Sequence, residues 1–267
     1  MIDVKVVLDS ISPAGSRLTT MLVTYPRFIH AEVLTHRVFS RNTSSNRAIP
    51  AKRVRAMVED NPVRIEFWGA NQRGMSADEE VADVAACEAW WEQCRQHALE
   101  MHRKGEELGI HKQVLNRIVE PFQHVTVLLS ATSWWNFIQL RTGPKAQPEI
   151  QVLARAIKAA YRESKPLFID DGQWHMPLLL DEDRERTVHE RRQISAARCA
   201  RLSYLNHNGQ FSAEDDMRLY QQLADDRHMS PFEHIATPSP GKHGNFSGWK
   251  QLRQYIEGGE SKGRSYK

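Results

Sequence analysis

The segment from Thr35 to Arg47 concentrates side chains that could bind a phosphate or a nucleotide. It reads Thr-His-Arg-Val-Phe-Ser-Arg-Asn-Thr-Ser-Ser-Asn-Arg, so guanidinium groups alternate with hydroxyls and amides. Guanidinium groups bind phosphate oxygens in a bidentate manner, and serine or asparagine can complete the remaining contacts. If a helix continued to Ser40, then His36, Arg37 and Ser40 would share one face. The alternative is a solvated helix end and turn, which serine and asparagine favour for local reasons.

A second group pairs an amide with a guanidinium among large apolar residues. Asn136, Leu140 and Arg141 fall at helical spacing in a segment that is rich in Trp, Phe and Ile. A half-buried arginine needs an anionic partner, because an unpaired buried charge costs several kcal/mol. The partner of Arg141 is therefore either an anionic ligand or a carboxylate of the chain, for which Glu149 is the candidate.

A third group comes in two pieces, residues 196–204 and 228–234. The first piece carries two arginines between small and apolar residues, which is typical of a half-buried strand or helix edge. In the second, Ser230 before Pro231 and Glu233 is typical of a helix start. Neither piece decides a function by itself.

The elements that would position these groups begin with two strands and a helix. Apolar residues alternate from Val4 to Leu8, and they resume from Leu18 to Val23 after a Ser-Pro-Ala-Gly turn, which predicts a hairpin. Pro26 would open a helix through Leu34, with the His-Arg segment at its end.

A long helix is predicted from Ser76 to Gly109, with Ser76 and Glu79 as a capping box. Its apolar spacing makes Cys87 and Cys94 core residues rather than redox or metal groups. Further helices are predicted over 150–160 and from Ser212, and loops over 172–177 and 206–210.

The composition limits the class of protein. The chain has 267 residues, a formal net charge of +3 and three cysteines without a Cys-x-x-Cys pair, so it offers little support for a nucleic-acid binder, a disulfide framework or a zinc site. The sequence has no signal-peptide layout and no membrane-length apolar run, so we expect a cytoplasmic protein. We predict one α+β domain over residues 1–257 and a flexible tail over 258–267.

Together these segments resemble the flavin-dependent thymidylate synthases. That family has the signature Arg-His-Arg, Ser three residues later, then Asn-Glu-x-Ser-x-Arg-Tyr. The matching residues are His36, Arg37, Ser40, Asn42, Ser45 and Arg47, while Thr35, Thr43 and Ala48 depart from the signature. Further matches are Arg117-Ile-Val-x-Pro121, Asn136-Phe-x-x-Leu-Arg141 and Ala146-Gln-x-Glu-Ile150.

Two further elements of the family are similar to Ala200-Arg-Leu-Ser-Tyr204 and Ser230-Pro-Phe-Glu-His234. In the usual family order they precede the His-Arg signature, whereas here they follow it. The resemblance therefore implies a circularly permuted family member, an antiparallel sheet with packed helices rearranged at its ends. Similar permuted relatives occur among bacteriophage proteins.

The resemblance implies FAD as cofactor, with NADPH and methylene-tetrahydrofolate as co-substrates, and transfer of one carbon to C5 of dUMP to give dTMP. It assigns the deoxynucleotide to Ser45, Arg47, Arg117 and Arg141, of which Arg141 and Ser45 are catalytic. It assigns the flavin to His36, Arg37, Asn42, Asn136, Lys145, Ser230 and Glu233. It also implies a homotetramer with its sites at subunit interfaces.

The departures at Thr35 and Thr43 each remove a charge, so two alternatives stay open. One is a methylase or hydroxymethylase that acts on another pyrimidine deoxynucleotide, such as dCMP. The other is a non-catalytic relative that binds nucleotides or nucleic acid. For that relative, base stacking would use the tryptophans and arginines at Trp134, Trp135, Arg141, Trp249 and Arg253.

Overall fold

The computed structural model describes residues 1–203 and 212–260. The strands are β1 (Asp3–Ile11), β2 (Arg17–Pro26), β3 (Ser40–Thr43), β4 (His124–Ala131), β5 (Leu167–Phe168), β6 (Ala236–His243) and β7 (Phe246–Gln251). The α-helices are α1 (His30–Leu34), α2 (Ala51–Asp60), α3 (Val84–Glu107), α4 (Lys112–Leu115), α5 (Trp135–Arg141), α6 (Pro148–Glu163), α7 (Val188–Ala200), α8 (Ala213–Asp225) and α9 (Leu252–Glu260). None of these helices combines the length and apolarity that a membrane span requires.

A five-stranded sheet forms the centre of the molecule, in the order β3-β4-β2-β1-β5. All neighbouring pairs are antiparallel except β1 with the short β5. β6 and β7 form a separate antiparallel hairpin. The predicted α+β class with an antiparallel sheet and packed helices is confirmed.

The predicted first hairpin is confirmed, and it supplies two central strands. Its turn includes Gly15, whose φ of 75° lies in the left-handed region that glycine adopts at no steric cost. β2 then pairs with the whole length of β4, from Thr19 opposite Ala131 to Pro26 opposite His124. Successive side chains of β2 and β4 point to opposite faces of the sheet, so both faces can carry helices.

One face of the sheet packs against α5 and α6. There, Val23 and Val127 contact the apolar side of α6, which includes Ile150, Leu153 and Ile157. These three residues lie on the face that the 150–160 pattern predicts, so that helix is confirmed. The opposite face, which includes Leu128, packs against elements that come later in the chain: α7, the 3-10 helix Ser230–Glu233 and α9.

The predicted start of the long helix is wrong. α3 begins at Val84, where the Asp83 side chain caps it by accepting a hydrogen bond from the amide of Ala86, 2.9 Å away. Glu79, the second predicted capping residue, lies in a backbone pairing instead, since the amide of Ala70 donates to its oxygen and that of Val81 to the oxygen of Trp68. Long-range backbone hydrogen bonds thus replaced the local cap.

The helix after Pro26 is present but short. A 3-10 turn over Arg27–Ile29 leads into α1, which ends at Leu34. Ser40 already belongs to β3 and pairs with Ser130 of β4, so His36, Arg37 and Ser40 do not share a helical face. Pairing with β4 places the polar segment along the edge of the sheet.

The cysteines and the remaining helices follow the predictions in part. Cys87 and Cys94 are both half-buried rather than core residues, and Cys94 packs against the apolar cluster between α2 and α3. The helix predicted from Ser212 is confirmed as α8, with Ser212 as its N-cap. α9 extends to Glu260, so the boundary predicted after residue 257 falls within a helix. The remaining tail, 261–267, and the predicted loop 206–210 lie outside the described residues.

Candidate active site

Arg141, the last residue of α5, donates hydrogen bonds to three side chains in and directly after α1. Its Nε donates to Nε2 of His36 at 2.9 Å, and its Nη1 donates to the Glu32 carboxylate at 2.9 Å. Its Nη2 lies 3.3 Å from the Thr35 hydroxyl. The side chain is still 16% exposed. The guanidinium is thus fixed in orientation while one side of it remains open to a ligand.

His36 acts as an acceptor toward Arg141, which requires that its Nε2 carries no proton. Burial, together with the positive charge of Arg141, lowers the pKa of His36 and favours this neutral form. The ring packs edge-on against Phe137, with centroids 4.9 Å apart. An uncharged His36 can therefore orient Arg141 without adding a second positive charge.

A cleft of about 580 Å³ opens in front of Arg141. Glu32 and Lys145 line it with charged groups, Gln147 and Gln151 line it with amides, and the segment 67–77 contributes Phe67. Asn136 and Lys145 line an adjoining depression of about 520 Å³. These two depressions bring together three predicted site residues, Arg141, Lys145 and Asn136.

Asn42 and Ser230 form a second cluster, at the outer strand of the sheet. The Asn42 amide lies 3.2 Å from Nε2 of His234 and 3.3 Å from both the hydroxyl and the backbone oxygen of Ser230. Asn42 belongs to β3, and Ser230 begins the 3-10 helix that packs beside it. Asn42 and Ser230 are 188 positions apart in sequence, and they meet because the 3-10 helix Ser230–Glu233 packs on β3.

A third cluster is centred on Glu120. One carboxylate oxygen, Oε1, accepts from Arg117 Nη1 at 2.7 Å, from Asn46 Nδ2 at 2.8 Å and from Arg27 Nε at 2.9 Å. The neighbouring turn contains Ser45, whose hydroxyl accepts from the Arg47 amide at 3.3 Å. The side chain of Arg117 is half-exposed and Arg47 is exposed, so both can reach an anion.

The N-terminal part of the chain matches one known family. The family described as "Thymidylate synthase complementing protein" matches residues 12–167, more than half of the chain. The chain belongs to this family. It is accordingly an enzyme of the flavin-dependent thymidylate synthase type, a methyltransferase. No curated protein matches the chain.

The fold is partly similar to that of solved structures. One of them is the UMP/dUMP methylase PolB from Streptomyces cacaoi bound with 5-Br UMP, with 15% sequence identity and a TM-score of 0.48. The alignment covers 61% of this chain and 89% of the PolB chain.

The segment matched by the thymidylate synthase complementing family contains most of the predicted site. Within it lie His36, Arg37, Asn42, Ser45, Arg47, Arg117, Asn136, Arg141 and Lys145. Ser230 and Glu233 lie beyond it. Ser230 still contacts Asn42, but Glu233 forms an ion pair with Arg253 at 2.7 Å. Arg37 is exposed.

The expectation that Arg141 pairs with Glu149 is wrong. Glu149 is buried, and its Oε1 accepts from the backbone amide of Glu66 at 3.1 Å. The partner of Arg141 is Glu32, 109 positions earlier in the chain and on α1. Glu32 carried no signal of its own, because one carboxylate in a short helix is typical of a solvated surface. Only the packing of α5 against α1 identifies it.

The tryptophans proposed for nucleic-acid stacking do not form a platform. Trp249 is fully buried and Trp134 is 3% exposed, so neither offers a ring face to a base. Arg253 is held by Glu233 and Glu257. Only Trp135 is widely exposed among the three tryptophans of this set.

The donor set of this thymidylate synthase-type chain is compatible with FAD. Arg37 is an exposed guanidinium of the kind that binds a diphosphate. Asn42 and Ser230 supply an amide and a hydroxyl of the kind that pairs with the polar edge of a flavin ring. The residues present therefore fit the charge and the hydrogen-bonding groups of the cofactor.

Proposed function

We propose that this enzyme transfers a one-carbon unit from methylene-tetrahydrofolate to C5 of dUMP, giving dTMP. FAD is the proposed cofactor, NADPH its reductant, and reduced flavin supplies the hydride when bound. The observation that carries the proposal is the Arg141 guanidinium, which is fixed by three acceptors at the wall of the cleft and still partly exposed. Family membership of residues 12–167 supports the type of reaction.

Arg141 is the proposed catalytic group for the pyrimidine. Addition of carbon at C5 requires electron density at that atom, and the ring oxygens take up negative charge as it develops. A guanidinium already held in place stabilises that charge without reorganising during the reaction. His36, Glu32 and Thr35 supply this preorganisation, because each accepts a hydrogen bond from a different nitrogen of Arg141.

The nucleotide phosphate is assigned to Arg47 and Arg117, with Ser45 beside them. The two guanidiniums are exposed or half-exposed, and Glu120 links Arg117 to Asn46, the residue before Arg47. Two guanidiniums whose segments Glu120 links in this way suit a dianionic phosphate. Ser45, which is also a proposed catalytic residue, adds a hydroxyl beside Arg47.

The flavin is assigned to His36, Arg37, Asn42, Asn136, Lys145 and Ser230. Arg37 and Lys145 would bind the diphosphate, and the amides and hydroxyl would orient the ring. Glu233 is the weakest of the predicted contacts, because Arg253 occupies its carboxylate.

We also propose a circularly permuted chain that assembles as a homotetramer. The Ser230–Glu233 helix lies beyond the matched segment yet packs beside β3, as a permuted element would. Trp135 and Leu140 are 66% and 56% exposed on α5, next to the cleft. Apolar side chains of this size at a site suit coverage by a neighbouring subunit.

Methylation or hydroxymethylation of dCMP is the second candidate. The Glu32 carboxylate beside Arg141 is an acceptor that suits the exocyclic amino group of cytosine as well as the ring N–H of uracil. A donor and an acceptor side by side can therefore pair with either base.

Product identification tests both candidates. The purified enzyme is incubated with FAD, NADPH and methylene-tetrahydrofolate, and with dUMP or dCMP separately, and the products are identified by mass spectrometry. We expect dTMP from dUMP. Product from dCMP alone would replace the first candidate with the second. A protein that neither carries flavin absorbance nor binds added FAD, and that yields no product, would reject both.

A further inference from the structure

Six polar side chains form an unbroken hydrogen-bonded chain across the sheet. In order they are Ser10, His175, Thr20, Ser130, His234 and Asn42, with successive contacts of 2.7, 2.8, 2.6, 2.8 and 3.2 Å. The first five are fully buried. Four of the six come from β1, β2, β4 and β3, and the two histidines come from segments beyond the family match.

The orientation of the Asn42 amide determines which group donates and which accepts in each of these hydrogen bonds. Its amide nitrogen lies 3.1 Å from the backbone oxygen of Arg41 and 3.3 Å from that of Ser230. Backbone oxygens can only accept, so the nitrogen, and not the oxygen, faces them. The same nitrogen lies 3.2 Å from Nε2 of His234, and an amide nitrogen has no acceptor capacity. Nε2 of His234 must therefore be unprotonated.

The unprotonated Nε2 of His234 fixes the donor and the acceptor of every other hydrogen bond in this series. A neutral His234 then carries its proton on Nδ1 and donates to Ser130. The Ser130 hydroxyl, which has one proton, donates onward to Thr20, and Thr20 donates to Nε2 of His175. Nδ1 of His175 in turn donates to Ser10. Burial lowers the pKa of both histidines to about 3, so both stay neutral at physiological pH.

We propose that His234, its tautomer fixed by Ser130, is a positioning residue that orients the Asn42 amide and presents the Asn42 oxygen as an acceptor for an N–H group of the bound cofactor. The assignment of that cofactor as a flavin rests on the proposed function. The tautomer of His234 and the orientation of the Asn42 amide follow from the contacts within the protein and do not depend on the proposed function. A reversed His234 would place a proton on Nε2 and turn the amide, so a donor would replace the acceptor.

The tautomers can be measured without any ligand. In protein labelled with 15N in its histidine rings, long-range 1H–15N correlation spectra separate protonated from unprotonated ring nitrogens. We expect the Nδ1–H form for His175 and His234, assigned by the signals lost in His175→Gln and His234→Gln. A neutral Nε2–H form at His234 would overturn the proposal, whether or not the protein binds FAD.

A matched pair of variants tests the effect on the site. Ser130→Ala removes the acceptor of the His234 proton, and Ser10→Ala removes the equivalent acceptor of His175 at the far end. Both serines are fully buried strand residues, so the structural change is similar. We expect Ser130→Ala to weaken FAD binding about fivefold to tenfold, as for one lost hydrogen bond, and to shift the absorption spectrum of the bound flavin.

Ser10→Ala should leave the FAD dissociation constant within about twofold, with a comparable loss of thermal stability. Thr20→Ser, which retains the hydroxyl, should keep the spectrum of the unchanged protein, whereas Thr20→Val should shift it as Ser130→Ala does. Equal weakening by the two serine variants, or an unchanged spectrum in Ser130→Ala, would refute the positioning role. Failure of the unchanged protein to bind FAD would count against the proposed function, while the tautomer measurement would still decide this inference.

Discussion

Two arginines of the molecule stand among apolar residues, but their surroundings differ. Arg198 in α7 is buried, and it donates to Asp216 at 2.9 Å and to Asp183 at 2.5 and 3.2 Å. Its Nη1 also donates to the backbone oxygen of Leu178. Arg141 has one carboxylate partner, Glu32, and otherwise neutral acceptors, and it lines a cleft.

The difference separates a structural arginine from a candidate catalytic one. Two carboxylates and the Leu178 backbone oxygen surround the buried guanidinium of Arg198, so its loss would remove the cationic partner of Asp183 and leave Asp216 with Arg201. Arg141 is oriented by the protein but keeps part of its charge for a ligand. Arg198 and Arg141 both have apolar neighbours. They differ in the number of carboxylates that they contact and in their access to solvent.

The largest effect is expected for Arg198→Ala. The buried Asp183 loses its cationic partner while Asp216 keeps Arg201, so the free energy of unfolding should fall by about 3 kcal/mol. Urea denaturation followed by circular dichroism measures this loss. Arg141→Ala is the matched control, and a loss of similar size in both variants would remove the distinction between the two arginines.

Arg141→Ala should affect catalysis instead. Loss of one preorganised electrostatic group lowers kcat by about 10²- to 10³-fold. We expect this fall in the release of tritium from 5-tritiated dUMP, with FAD still bound and the free energy of unfolding changed by less than about 1 kcal/mol. Arg141→Lys, which keeps the charge but not the planar fork, should fall in between. Unchanged tritium release in Arg141→Ala would exclude the catalytic role.

Glu32→Gln should have a smaller effect that sharpens the comparison. The ion pair is partly exposed, so its removal should change stability by less than about 1 kcal/mol. Gln is a weaker acceptor for Arg141 than the carboxylate, so kcat for dUMP should fall about tenfold while KM changes by less than about twofold. Asp216→Asn is the comparison in the other cluster and should cost more stability. A KM that rises in Glu32→Gln would mean that the carboxylate contributes to binding.

The smallest effect is a change in the titration of His36. Burial is the main cause of its lowered pKa, and the charge of Arg141 adds to it. In Arg141→Met the pKa of His36 should therefore rise, while burial keeps it below its ordinary value of about 6.5. NMR titration of the histidine ring protons measures this shift. A constant pKa would indicate that Glu32 already neutralises Arg141.

Local patterns predicted elements whose partners are close in sequence. The hairpin of β1 and β2 depends on alternation and on a turn with Gly15, and α8 depends on its cap at Ser212. The cap predicted at Ser76 is wrong, because residues 79 and 81 hydrogen bond with residues 70 and 68 and α3 starts later. A local motif predicts well only where no distant strand or loop competes for the same backbone groups.

The sequence by itself determined the α+β class, the family and the residue types of the candidate site, because these depend on spacing along the chain. Only the tertiary structure decided which carboxylate holds Arg141 and which histidine orients Asn42. Glu32 precedes Arg141 by 109 positions, and His234 follows Asn42 by 192. Such pairs are made by the packing of α5 on α1 and of the Ser230–Glu233 helix on β3, and no local pattern encodes them.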